Sequence, residues 1–288
     1  MALKNYEFWL VVGTQFLYGE EIFETINSHA AEIANEWSER LCCKVVAKPC
    51  VKTSKEILDI MQSANNDEKC AGVITWMHTF SPSKMWIAGF NALKKPYLHV
   101  NTQYNRDIPW NDIDMDFMNL NQSAHGDREH GYIAARMHLK RKVVAGYWKD
   151  ENVQNKIDVW MRAAVGAAES RKLRVLRISD NMRNVAVTDG DKIEAQIKLG
   201  WQVDHYGVGD IIKLVNAVTD DEIDAQMSEY EKNYVMDTDN IEAVRYQARE
   251  EVALKKFLDK EGFGAFHTNF EDLQELRQLP GLAAQDLM

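Results

Sequence analysis

The segment YEFWLVVG, residues 6–13, decides the fold together with the two patterns that follow it. From Phe8 onwards it is apolar up to its closing glycine, which is typical of a strand buried on both faces. Apolar residues then recur at helical spacing over 19–41, and a second short apolar run, KVVAKP, occupies 44–49. A strand, a helix and another buried strand in this order predict a βα unit of a parallel sheet.

The same alternation continues to about residue 172. Three further strands are predicted at 71–77, 96–100 and 142–148. The further helical patterns occupy 55–66, 81–93, 131–140 and 151–172. Thr53 with Glu56 fits a capping box before the first of these helices. Five successive βα units predict a Rossmann-like, doubly wound parallel sheet with helices on both faces. Ligands of such sheets bind at the carboxyl ends of strands, here after residues 13, 77, 100 and 148.

The pattern restarts at LRVLRISD, residues 173–180, which reads as the first strand of a second α/β domain. Two more strands are predicted at 201–207 and 262–270. Helices are predicted at 189–200, 208–217, 220–231 and about 240–260. The predicted domains are therefore 1–171 and 172–288, with no repeat of fixed period and no low-complexity segment.

Composition restricts the class of protein more than its function. The 288 residues are 45% hydrophobic and 27% charged, with a formal net charge of -10 and no long basic run. A nucleic-acid or membrane partner is not expected, since either would favour a basic stripe. The amino-terminal segment lacks a signal-peptide layout and no apolar stretch is long enough to span a membrane, so a cytoplasmic protein is expected. The four cysteines lack the spacing of a zinc site and are predicted to be buried thiols: Cys42, Cys43, Cys50 and Cys70.

The stretch FMNLNQSAHGDREHG, residues 117–131, is unusually polar after an apolar run, and three interpretations fit it. Its amide and hydroxyl side chains could cap a helix amino terminus, the candidates being Asn119, Asn121 and Ser123. The amides and a histidine could instead hydrogen-bond a polyhydroxy ligand. His125 and Glu129 lie four positions apart on one helix face and could ligate a metal, although two ligands are too few for a site.

Two other loops at predicted strand ends carry candidate side chains. In GTQFLYG, residues 13–19, Gln15 and Tyr18 can form hydrogen bonds, although the residues alone favour a plain connecting loop. WMHTFSPSKMW, residues 76–86, holds aromatic rings that could stack on a sugar or merely pack.

These loops carry a resemblance to a known family. Together with PWNDIDMDFMNLNQSAHGDREHG (109–131), DNMRNVAVTDGDK (180–192) and HTNFEDLQELRQLPGL (267–282), they resemble the L-arabinose isomerase family. The match runs in order from about residue 5 to the end. The resemblance implies interconversion of L-arabinose and L-ribulose, and in some members D-galactose, with a divalent metal, usually Mn²⁺. It also implies trimers or hexamers built from a Rossmann-like domain, a central α/β domain and a β-rich domain.

The resemblance also implies roles for particular residues. The stretch 117–131 would belong to the surface that one subunit presents to its neighbour's active site. The implied substrate-binding residues are Gln15, Leu17, Phe80, Gln122, His125, Met182 and Phe270. Gln15 would hydrogen-bond sugar hydroxyls, while four of the others would form an apolar wall: Leu17, Phe80, Met182 and Phe270.

Family members are much longer than this chain, which is the main departure from the pattern. The glutamate and histidine metal ligands of the family, its proton-shuttling glutamates and its β-rich domain would lie beyond Met288. No catalytic residue and no metal ligand is therefore expected in this chain, and the second α/β domain is expected to be incomplete. The isolated chain should be inactive. The alternative is a non-catalytic sugar-binding or subunit-docking α/β module.

Overall fold

The computed structural model describes residues 2–288. The chain forms two compact units, Met1–Ala168 and Glu169–Met288. The strands of the first unit are β1 Glu7–Gly13, β2 Lys44–Ala47, β3 Cys70–Met77, β4 Tyr97–Asn101 and β5 Lys142–Ala145. Its helices are α1 Glu21–Arg40, α2 Ser54–Asn66, α3 Ile87–Ala92, α4 Met115–Leu120, α5 Ser123–Arg136 and α6 Glu151–Ser170. Short 3₁₀ turns at Phe16–Tyr18 and Ser83–Trp86 follow β1 and precede α3.

All five strands of the first unit are parallel, in the order β2-β1-β3-β4-β5. In the middle of the sheet Leu10 lies between Ala47 of β2 and Ile74 of β3. The chain winds outward in one direction from β1 to β2 and in the other from β3 to β5. The reversal between β1 and β3 is the point at which doubly wound sheets bind ligands.

Alternate residues of β1 enter two different cores, which shows that both faces of the sheet are covered. Phe8 and Leu10 pack with α1 and α6, whereas Trp9 and Val11 pack with α2 and α3. Burial on both sides explains why this strand is apolar throughout. The predicted doubly wound α/β fold is confirmed.

The second unit is a smaller parallel α/β structure. Its strands are β6 Arg174–Ile178, β7 Gln202–Tyr206 and β8 Ala265–His267, in the order β7-β6-β8. Its helices are α7 Lys192–Leu199, α8 Val208–Asn216, α9 Asp220–Asn233, α10 Ile241–Glu261 and α11 Gly281–Asp286. Leu176 and Ile178 of β6 pack into a core shared with α8, α9 and α10.

Several predicted element boundaries were wrong. β5 ends at Ala145 and not at residue 148, because Gly146 turns the chain with a φ of 136°. β8 covers three residues of the predicted 262–270. The 81–93 segment begins as a 3₁₀ turn before α3. Thr53 does cap α2, but the Glu56 carboxylate accepts from the Lys52 N–H at 2.6 Å, so the capping box is incomplete.

None of the helices between residues 2 and 288 combines the length and the apolar character that crossing a membrane requires.

Candidate functional site

The loops after β1 and β3 are joined at the carboxyl edge of the first sheet. The Thr79 hydroxyl donates to the Thr14 hydroxyl at 2.8 Å, and both side chains are fully buried. The two loops therefore leave the sheet as one connected surface at the point where the winding reverses. Gln15 is half-buried at the start of the following 3₁₀ turn, and Leu17 is 79% exposed within it.

Helix α5 begins directly against the end of β3. The backbone N–H of Gln122 donates to the carbonyl oxygen of His78 at 3.1 Å. One turn later Gly126 is buried so close to β3 that a Cβ there would lie 2.9 Å from Cβ of Met77. A glycine is needed for this approach, since Cβ contacts that short do not occur in proteins. The close approach places the first turn of α5 on the same edge as the two loops.

Three of the expected sugar-binding residues meet at this edge. The rings of Phe80 and His125 are stacked, with centroids 4.5 Å apart and planes 26° from parallel. Oε1 of Gln122 lies 3.4 Å from Nδ1 of His125, at the long end of a hydrogen bond. Phe80 is half-buried and His125 is exposed, so the stacked pair borders solvent. The structure brings Phe80, Gln122 and His125 together although 45 residues separate the first from the last.

The capping interpretation of residues 117–131 was wrong in its particulars. Helix α4, which precedes α5, is capped by Asp114, whose carboxylate accepts from the Phe117 N–H at 2.8 Å. Gln122 occupies the N-cap position of α5 and makes no side-chain capping hydrogen bond. Asn119 instead accepts from the Gln122 side chain at 3.3 Å, so it helps to hold that amide in place.

The metal interpretation of the same stretch finds no support. Glu129 accepts from the Ser83 backbone N–H at 2.9 Å, while His125 lies against Phe80. Across residues 2–288 no group of three or more His, Cys, Asp and Glu side chains is arranged to hold a metal ion. The side chains of the described residues thus do not fit the Mn²⁺ that the resemblance implies.

A pair of histidines under this edge was not found from the sequence. Nε2 of His78 and Nδ1 of His29 lie 2.7 Å apart, and His29 stacks on Tyr104 with centroids 3.5 Å apart. Burial lowers the pKa of His78 to about 3, so its imidazole is neutral at physiological pH. No spacing signal connects residues 29 and 78, because α1 and β3 meet only through the sheet topology.

The remaining two expected residues lie in the second unit, at the carboxyl ends of β6 and β8. The loops after these strands are tied together, since Nδ2 of Asn269 donates to the Asp180 carbonyl at 2.9 Å. The Ser179 hydroxyl also donates to Asp272 at 2.6 Å. Because β6 and β8 are neighbours across the reversal of the second sheet, this edge has the geometry of a ligand-binding edge as well.

Met182 and Phe270 flank these tied loops. Met182 is half-buried and its N–H donates to the Thr188 hydroxyl at 3.0 Å, which holds the loop after β6. Phe270 is 60% exposed and follows Asn269 directly. An exposed phenylalanine on a loop fixed by hydrogen bonds presents a ready apolar surface.

The cysteines are thiols without a disulfide, as predicted. Cys43, Cys50 and Cys70 are buried, and Cys42 is partly buried. Burial raises the pKa of the Cys70 thiol to about 11, so it is protonated and unreactive at neutral pH.

Comparison with known proteins accounts for the whole chain. A family model described as the L-arabinose isomerase N-terminal domain matches residues 2–172, and one described as the L-arabinose isomerase central domain matches residues 174–288. The chain belongs to the L-arabinose isomerase family. An L-arabinose isomerase of Clostridium beijerinckii is 54% identical over the full chain, which covers 59% of that relative. Those of Thermotoga maritima and Bacillus subtilis are 52% and 51% identical, and 58% and 60% of their lengths are covered.

Proposed function

We propose that this chain is the sugar-recognising part of an L-arabinose isomerase. Membership of the family supports this, and the single structural observation that carries it is the Phe80–His125 stack beside Gln122. This group lies where the sheet order reverses, which is the usual ligand position of a doubly wound sheet. L-arabinose, L-ribulose and, in a broader pocket, D-galactose are the proposed ligands.

The side chains divide the recognition of a sugar between polar and apolar contacts. Gln15, Gln122 and His125 offer amide and imidazole groups that can donate to or accept from hydroxyls. A ring face such as that of Phe80 suits the C–H side of a sugar, and Leu17 extends the apolar surface. In the second unit Met182 and Phe270 supply an apolar wall of the same kind. We propose these seven residues as the substrate contacts.

Isomerisation needs more than this surface supplies. A proton must move between adjacent carbons, and a divalent ion such as Mn²⁺ would polarise the two oxygens. Residues 2–288 offer no donor set for such an ion. We therefore propose that the metal ligands and the proton-shuttling carboxylates of the working enzyme, a trimer or hexamer, belong to the part of the longer relatives that this chain does not cover.

The test is ketose formation from L-arabinose with Mn²⁺, using the purified chain alone and mixed with the complementary remainder of a family member. We expect no ketose from the chain alone and ketose from the mixture. Ketose production by the chain alone would show that a catalytic site exists within these residues. No ketose from the mixture, with both parts folded and associated, would count against a recognition role.

His125→Ala gives a sharper test within that mixture. Removing the imidazole should lower kcat/KM about tenfold or more, as for loss of one positioned hydrogen bond, and leave the bound metal unchanged. His205→Ala, at an exposed histidine of β7, is the matched control and should have no effect. Metal content follows from elemental analysis, and its loss in His125→Ala would contradict the assignment of His125 to the sugar.

A second candidate function is a binding module without turnover. It predicts weak binding of L-arabinose to the isolated chain and no ketose in any mixture, which the same assays distinguish.

A further inference from the structure

A group of polar side chains is sealed between β3, β4 and α5, beneath the proposed sugar-binding edge. None of its members is more than 7% exposed: Thr75, Tyr97, His99, Asp127 and His130. Nothing in the proposed contacts uses them. Burying five polar groups is costly unless their hydrogen bonds are made, so the network calls for a physical role.

The network runs from the sheet to the helix through His99. Thr75 and His99 are direct partners in the pairing of β3 with β4. The Thr75 hydroxyl lies 2.9 Å from Nδ1 of His99, and Nε2 of His99 lies 2.7 Å from Oδ1 of Asp127. The helix is thus fastened to the centre of the sheet through a side chain only one and a half turns from its start.

A second branch reaches the helix one turn later. The Tyr97 hydroxyl bonds both Thr75, at 2.9 Å, and Nε2 of His130. Both branches end on the face of α5 that points at the sheet.

The position of Asp127 on the helix connects this network to the proposed site. Asp127 follows His125 by two residues, which is about 200° around an α-helix. When Asp127 points into the sheet, His125 must point away from it, towards Phe80 and solvent. A rotation of the helix that released Asp127 would carry His125 off the ring of Phe80.

This polar network is not the packing of lowest free energy for the helix. Oδ2 of Asp127 and Nδ1 of His130 are buried without a hydrogen-bond partner among residues 2–288. Burial raises the pKa of Asp127, and the hydrogen bond with His99 acts against that rise. An apolar pair in place of His99 and Asp127 would leave no buried carboxylate oxygen without a partner. An apolar pair forms no directional hydrogen bond. A helix that carries a ligand contact needs such a bond to fix its rotation.

We propose that the His99–Asp127 pair is a positioning device that fixes the rotation of α5, so that His125 stacks on Phe80 and Gln122 faces the sugar. The expected effect on sugar binding rests on the proposed function. The orienting of α5 by His99 and Asp127 rests on the geometry alone. His99 and Asp127 touch no sugar in this account. They act through the helix.

The experiment reads the orientation of His125 directly. In the full-length chain with labelled histidines, the stack on Phe80 shifts the His125 ring protons upfield in an NMR spectrum. Phe80→Leu gives the unstacked reference. We expect Asp127→Ala to move the His125 resonance most of the way to that reference. We also expect it to weaken binding of L-arabinose about tenfold, the effect of one lost hydrogen bond.

Two further variants separate positioning from general loss of stability. The double variant His99→Leu with Asp127→Leu leaves no orphaned partner, so it should fold even if Asp127→Ala does not. It should still lose the stacked His125 resonance. Asp127→Asn keeps an acceptor for His99 and should restore the stack.

Tyr97→Phe is the matched control, because it removes buried hydrogen bonds to the same helix from the other branch of the network. It should lower stability and leave the His125 resonance in place. Retention of the wild-type His125 resonance in both Asp127→Ala and the double variant would overturn the proposal. If the resonance moves as expected but the wild-type chain mixed with the complementary remainder of a family member forms no ketose, the proposed function is refuted and the positioning role stands.

Discussion

At the scale of single residues, the second unit contains a buried carboxyl group in α10 whose hydrogen bonds are incomplete. Glu250 is 2% exposed, and only its Oε2 has a partner, the side-chain amide of Gln247 at 2.8 Å. Burial raises the pKa of Glu250 to about 8. Its neighbour Glu251, bonded by Tyr230, has a pKa raised by burial to about 7. The folded chain therefore holds protons that the unfolded chain releases near pH 4.5.

The sign of the resulting pH dependence follows from linkage. A carboxyl whose folded pKa is above its unfolded pKa favours folding fully at low pH, and this contribution is lost as the pH rises towards 8. Glu250→Gln removes the titration. The free energy of unfolding of the variant, relative to wild type, should rise by about 4 kcal/mol between pH 5 and pH 8.5. Urea unfolding at both pH values measures this difference in unfolding free energy. Glu231→Gln, at an exposed position of α9, removes the same charge and is the control. Equal pH slopes for Glu250→Gln and wild type would show that Glu250 titrates normally.

At the scale of elements, the contact of α5 with β3 decides where the proposed site lies. Two glycines of this helix allow a matched comparison. A Cβ on Gly126 would lie 2.9 Å from Cβ of Met77, whereas a Cβ on Gly131 would meet only the end of the Arg141 side chain at 3.9 Å. The first position is a close approach and the second is an ordinary helix position.

Gly126→Ala should therefore push α5 off β3 and lower the free energy of unfolding by about 1–3 kcal/mol, as overpacking does. Gly131→Ala should raise it by up to about 1 kcal/mol, since alanine is the better helix former. Thermal or urea unfolding of the two variants measures the difference, and His125 NMR shifts report whether the helix has moved. Equal effects of both substitutions would mean that α5 does not approach β3 this closely.

The same elements show what the sequence could and could not predict. The strands of the first sheet and their parallel order follow from buried apolar runs separated by helical periodicity, because the period reports burial directly. The break between α4 and α5 could not be predicted from such patterns. Asp114 caps α4, and α5 starts against the His78 carbonyl. β8 is shorter than its apolar pattern because Asn269 bonds the loop after β6. Tertiary contacts set these boundaries.

The candidate site, like the fold, could be predicted from the sequence only in part. Loops at strand ends could be selected in advance, because parallel sheets bind ligands there. The stack of His125 on Phe80 and the buried His99–Asp127 pair could not, because each joins residues far apart in sequence through the sheet register. The sugar-binding roles of all seven residues, those of Phe80, Gln122 and His125 included, come from the resemblance to the family and stay predictions.

At the scale of the whole molecule, the exposed apolar side chains are concentrated in particular segments. In the segment 262–288, Phe270 and Leu279 are 60% and 43% exposed. A denser group lies in the loop before α4 and in α4 itself, where Trp110 and Met118 are 75% and 51% exposed. Both residues line a cavity of about 370 Å³ whose lining is mainly apolar. Apolar patches of this kind promote association between chains in water.

The chain should consequently self-associate as its concentration rises, and the segment that carries Trp110 and Met118 should contribute most. Trp110→Ser combined with Met118→Ser should weaken association more than Phe270→Ser, because the two residues line the same cavity. Val159→Ser is the control, since Val159 is 68% exposed but stands apart from both segments on α6. Sedimentation velocity over a range of concentrations measures the assembly of each variant. A chain that remains monomeric at every concentration would contradict the prediction. Equal weakening by Val159→Ser would show that any exposed apolar residue serves, and that these segments hold no specific interface.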